Sequence, residues 1–72
     1  MMTTSYSTEP LKVGTVVRIP NSGYRQAPGV ISEYRGPLGP KGARIYGVFM
    51  GNDPESYIEV REDQLEVVSS PQ

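Results

Sequence analysis

Tyr24 and Arg25 stand side by side in the stretch Asn21-Ser-Gly-Tyr-Arg-Gln-Ala-Pro28. An aromatic ring next to a guanidinium can stack on planar groups and grip a carboxylate or a phosphate. A second basic run follows, where Arg35 and Arg44 flank Gly36-Pro-Leu-Gly-Pro-Lys-Gly42 with its Lys41. Arg18, earlier in the chain, completes the set. Arg18, Tyr24, Arg25, Arg35, Lys41 and Arg44 are thus candidate binding residues for a protein or nucleic-acid partner. Their chemistry is recognition rather than bond making.

Catalysis needs a positioned base or nucleophile in a dry cleft. The chain has no histidine and no cysteine, so its serines lack an imidazole partner and no thiolate exists. The usual ligands of zinc, copper, haem and iron–sulfur clusters are missing for the same reason, and no cofactor or metal is expected. Glu62 and Asp63 are adjacent, and adjacent side chains in a turn or strand point apart. They read as a solvated acidic turn, not a catalytic carboxylate pair. The glycines of 36–42 are not followed by Lys-Ser or Lys-Thr, so this is not a phosphate loop. Two collagen-like triplets are too few for a triple helix. The stretch is expected to be a long hairpin loop, stiffened by Pro37 and Pro40. The expected class is therefore non-enzymatic.

The elements that must position these residues are strands. Ala43–Met50 and Ser56–Val60 are rich in β-branched and aromatic residues and are separated by Gly51-Asn-Asp-Pro-Glu55, a hairpin pattern. Tyr46, Val48 and Met50 share one face; Ile45, Gly47 and Phe49 share the other. Both faces are apolar, so this strand is expected to be the central one, with Gly47 marking a bulge or a close backbone approach. Ile58 and Val60 are expected inward, Tyr57 and Glu59 outward. Thr15–Ile19 is the first strand, with Val17 and Ile19 inward, and Pro20 ends it. Gly29–Arg35 has no cleanly apolar face, which suggests a strongly bent strand shared by two sheets. A single 3₁₀ turn fits Arg61–Gln64. Leu65–Val68 is the fifth strand, with Leu65 and Val67 inward. No segment has the apolar spacing of a helix.

With 72 residues the chain is one small domain, and about 60% of its unfolded surface can be buried. Residues 1–10 are expected to be a disordered tail, 11–68 the folded unit and 69–72 a second disordered tail. No apolar run approaches the roughly 20 residues that span a bilayer. The N-terminus lacks the pattern of a secretory signal, and the absence of cysteine fits a cytoplasmic protein.

The formal net charge is −1, but the charges are unevenly distributed. From Pro10 to Tyr46 six cations face only Glu33; from Gly47 to Gln72 only Arg61 faces six carboxylates. Either the two halves form separate basic and acidic surfaces, or their strands pair and the charges interleave.

The order of elements resembles the plan of SH3-like barrels: five short strands, a long first loop, a hairpin loop, a tight turn and a 3₁₀ turn before the last strand. Val13-Gly-Thr-Val-Val-Arg-Ile19 is similar to their opening strand, and Glu62-Asp-Gln-Leu-Glu-Val67 to the ending of many small bacterial members. The resemblance implies an all-β, five-stranded SH3-like barrel over Leu11–Val68. The peptide-binding SH3 branch is excluded, because the chain has no Trp and its tyrosines do not fall in that branch's motif. KOW-type domains, which bind RNA or protein, match loosely at Gly23 and Gly29, while an isoelectric point near 5.2 argues against strong phosphate binding. Small accessory subunits of photosynthetic complexes, such as the E subunit of photosystem I, are similar in size and layout, including Arg18-Ile19 and Gly29-Val30. The function this implies is a protein-interaction module, an accessory or regulatory subunit binding an acidic protein partner. The alternative is a weak nucleic-acid binder in which Tyr24 or Tyr34 stacks on bases. The chain is expected to be a monomer or a weak homo-oligomer through an edge strand. Leu38, Tyr57 and Phe49 are candidates for the dry centre of a protein interface.

Overall fold

The computed structural model describes residues 9–24, 26–51 and 53–71; the expected N-terminal tail lies largely outside them. Five strands form one antiparallel sheet: β1 (Val16–Arg18), β2 (Gly29–Gly36), β3 (Ile45–Met50), β4 (Tyr57–Arg61) and β5 (Glu66–Ser69). Their order is β4-β3-β2-β1-β5. A 3₁₀ turn, Glu62–Gln64, precedes the last strand as expected. A second, Pro40–Gly42, lies in the β2–β3 loop. It escaped the sequence reading because Pro and Gly signal a loop without specifying its path.

The sheet's two edges, β4 and β5, are consecutive in the chain. A flat sheet of this size would hold its edges roughly 19 Å apart. The chain from Arg61 to Glu66 includes a 3₁₀ turn and spans only about 13 Å. The sheet therefore curls. Two register shifts in β2, between Ile31 and Glu33 and between Tyr34 and Gly36, supply bends of the kind bulges produce. They account for the absence of one clean apolar face along Gly29–Arg35, and they correct the expectation of a strand shared by two sheets: β2 bends within one sheet.

The concave side holds the core: Val17, Ile19, Ile31, Tyr46, Val48 and Met50 are buried. Leu11, Ala27, Ile58, Val60 and Leu65 pack against them. β3 is the central strand by burial, with Tyr46, Gly47, Val48 and Met50 all buried. One inward assignment needs correction. Val67 is 50% exposed and every residue of β5 is exposed. The alternation of Leu65 and Val67 suggested an inward pair, but a peripheral strand at the end of the sheet has no second layer to face.

Gly47 explains itself by approach. A Cβ built there would collide with the ring and hydroxyl of Tyr57. The Tyr57 ring lies over the bare backbone, as aromatic residues do beside strand glycines. It also meets Phe49 edge-on at 5.3 Å.

Candidate binding site

Two clefts meet beside the Glu62–Gln64 turn. The larger, of about 520 Å³, has a floor of Ile19, Ile58 and Val60. Asn21, Ser22 and Tyr24 form one wall, and Arg61, Asp63 and Gln64 the other. Its loop wall is held locally. Ser22 Oγ donates to Ile19 O at 2.9 Å and accepts from the Tyr24 N–H at 3.0 Å. The Ala27 N–H closes the loop onto Tyr24 O at 2.9 Å. Tyr24 is 40% exposed, and its ring forms part of the cleft's rim. The opposite wall is set by Gln64, whose Oε1 accepts from the Arg61 N–H at 3.2 Å. Arg61 Nε donates to Asp63 Oδ1 at 2.9 Å.

The second cleft, of about 420 Å³, is lined by Pro40–Arg44 with Glu62 and Asp63. Asp63 belongs to both. Lys41 sits in the left-handed region, at φ 58° and ψ 30°, a conformation that costs a non-glycine residue roughly 1 kcal/mol. The loop holds it there through Gly39 N–H to Ala43 O at 2.9 Å and Ala43 N–H to Pro40 O at 3.1 Å. Its ammonium is exposed and makes no ion pair among the described residues.

Behind this cleft lies a polar network. The buried Tyr46 Oη donates to Glu62 Oε1 at 2.7 Å and accepts from the Leu11 N–H at 2.9 Å. Arg44 Nη1 lies 3.4 Å from the same carboxylate oxygen and donates to Glu9 O at 3.1 Å. Burial, and then the bond to Glu62, push the Tyr46 phenol up to about 12. Partial desolvation opposes the charge on Arg44, yet Glu62 outweighs it and the pKa is raised. The network ties the incoming chain at residues 9–11, β3 and the 3₁₀ turn into one support.

The six candidates do not form one patch. Lys41 and Arg44 line one cleft and Tyr24 the adjoining one. Arg18 is exposed on β1 opposite Glu66. Arg35 lies in a group beside Tyr57, with Glu33 at 3.2 Å and Glu59 at 3.3 Å. Arg25 lies outside the described residues. Arg35–Glu59 and Arg44–Glu62 join the basic half to the acidic half, so part of the charge asymmetry is paired within the chain. Arg61, Gln64 and the floor residues were not singled out as binding residues from the sequence. Arg61 carried one usable signal, as the lone cation among six carboxylates in its half. Among the described residues, no group of three or more His, Cys, Asp or Glu side chains could hold a metal ion, and no helix is long and apolar enough to cross a membrane.

Comparison with known proteins finds no matching family model, no matching curated protein and no matching solved structure.

Proposed function

We propose that the protein is a non-catalytic protein-interaction module, an accessory or regulatory subunit that seats a segment of an acidic protein partner in the paired clefts. The observation that carries this reading is the larger cleft itself. It combines an apolar floor, an exposed aromatic rim and a polar wall, the composition of a recognition surface. In the clefts Arg44 and Arg61 are already paired with Glu62 and Asp63, and Lys41 makes no ion pair among the described residues. The balance favours an acidic segment and chiefly orients it and speeds its arrival. An SH3-like barrel is the architecture that suits this role. Its support is the strand order and the short 3₁₀ link between the sheet's edges.

Nucleic-acid binding is the weaker reading. A backbone-tracking groove needs a run of free cations, and Arg35, Arg44 and Arg61 are each within 3.4 Å of a carboxylate of their own chain. The two readings separate in one experiment. The isotopically labelled full chain is titrated with acidic peptides bearing one leucine or tyrosine, and in parallel with oligo-dT, while amide shifts are followed. Shifts at Tyr24, Val60 and Gln64 with a peptide, lost in Tyr24→Ala, support the module. Salt-sensitive shifts with oligo-dT alone overturn it.

A further inference from the structure

Lys41 keeps a side chain where the backbone favours none. Its φ is 58°, and every other described residue with a positive φ is a glycine. The turn around it is tightly built. Gly42 N–H donates to Gly39 O at 3.1 Å, beside the bonds that join Gly39 to Ala43 and Ala43 to Pro40. A Cβ at Gly39 would come within 2.9 Å of the Ala43 Cβ, so the turn closes on bare backbone. Glycine or asparagine at position 41 would meet the same φ at less cost. A larger residue held there points to a use for its side chain. The surrounding charges indicate that use. Among the cations lining the two clefts, Arg44 lies 3.4 Å from Glu62 and Arg61 lies 2.9 Å from Asp63. Lys41 lines the cleft of about 420 Å³, is exposed, and makes no ion pair among the described residues.

We infer that Lys41 is the residue that selects an acidic partner, a role that rests on the reading of the paired clefts as a protein-binding site. Its ammonium takes one side-chain carboxylate of the bound segment, and the apolar floor of the adjoining cleft takes a nearby apolar side chain. A carboxylate arriving at Arg44 or Arg61 must displace one already there. At Lys41 it displaces only water. The closed turn fixes the base of the lysine before the ligand arrives, so less freedom is lost on binding. A nucleic-acid backbone needs a run of such cations, whereas an acidic segment needs one that is not already paired.

The test titrates the labelled full chain with a short glutamate-rich peptide bearing one leucine, and with its counterpart in which every Glu is Gln. Lys41→Gly and Lys41→Asn both remove the ammonium and both suit the turn, so each keeps or raises the thermal midpoint. The parent binds the acidic peptide about fivefold more tightly than the neutral one, and the two variants lose that preference. Lys12→Gln removes an exposed cation that lines neither cleft and binds like the parent. A parent without the preference, a preference retained in both Lys41 variants, or one lost equally in Lys12→Gln overturns the inference, while peptide shifts at Tyr24, Val60 and Gln64 still support the module. Should Lys41→Gly weaken both peptides by loosening the turn, Lys41→Asn decides: weakening of the acidic peptide alone supports the role, and equal weakening of both refutes it. Loss of oligo-dT shifts in the variants with peptide shifts intact overturns it as well. No shifts with either peptide overturn the module reading and this role together.

Discussion

The molecule contains the same three side chains in the same relation twice. In one place Tyr46 Oη donates to Glu62, which also faces Arg44. In the other Tyr57 Oη donates to Glu33, which also faces Arg35. The first tyrosine is fully buried; the second is 38% exposed on the sheet's outer face. Burial changes what the trio does. Around Tyr46 water cannot replace a lost partner, so each bond is needed. Around Tyr57 water competes for every donor and acceptor, and the ion pairs are screened. One trio is a structural lock behind the clefts; the other chiefly holds an aromatic ring over Gly47.

The largest test of that contrast is Glu62→Ala against Glu33→Ala. Glu62→Ala leaves the Tyr46 hydroxyl without its acceptor and Arg44 without its carboxylate, and should cost about 2–3 kcal/mol in chemical denaturation. Glu33→Ala should leave the unfolding midpoint nearly in place. Equal losses would erase the distinction.

The alkaline limb comes next. The folded state holds the Tyr46 proton more tightly than the unfolded chain does, with values of about 12 and 10.0. The contribution is fully present below pH 10.0 and is lost as pH rises through about 12. That loss amounts to up to about 2–3 kcal/mol. Tyr46→Phe should flatten this limb in pH-dependent melts, while Tyr57→Phe should leave most of it.

Gly47→Ala should cost roughly 1 kcal/mol, because the new methyl drives the Tyr57 ring off the backbone. Near-ultraviolet dichroism should register the ring's movement with the buried trio intact.

The smallest effect lies at acid pH. The Tyr57 hydroxyl, ahead of Arg35, holds Glu33 below 4.5. The stability this supplies is present above that pH and is lost below it. Tyr57→Phe should weaken that slight acid dependence, and added salt should diminish it further.

Much of the scaffold was legible beforehand. Period-two alternation identified β3 and its two apolar faces, the inward Val17 and Ile19, and the outward Tyr57 and Glu59, because side-chain direction in a strand is a local property. The glycine at 47 was legible as a bulge or a close approach; the structure shows the approach and supplies the ring, Tyr57. Val67 misled because alternation states which residues share a face, not whether that face is covered. The candidate site was legible only in part. Tyr24, Lys41 and Arg44 line the clefts, while Arg18 and Arg35 fall elsewhere.

The sequence by itself determined the all-β character, the 3₁₀ turn before the last strand and the identity of the core strands. Each follows from residue type and short-range spacing. Which carboxylate each arginine meets was decided only by tertiary structure, as was the use of Arg35 and Arg44 to join the chain's two halves. So was the union of Tyr24, Val60 and Gln64 around one cleft. These depend on strand order, on two register shifts in β2 and on a sheet bent until its edges lie within one short turn of each other. Those long-range distances leave no mark on local pattern.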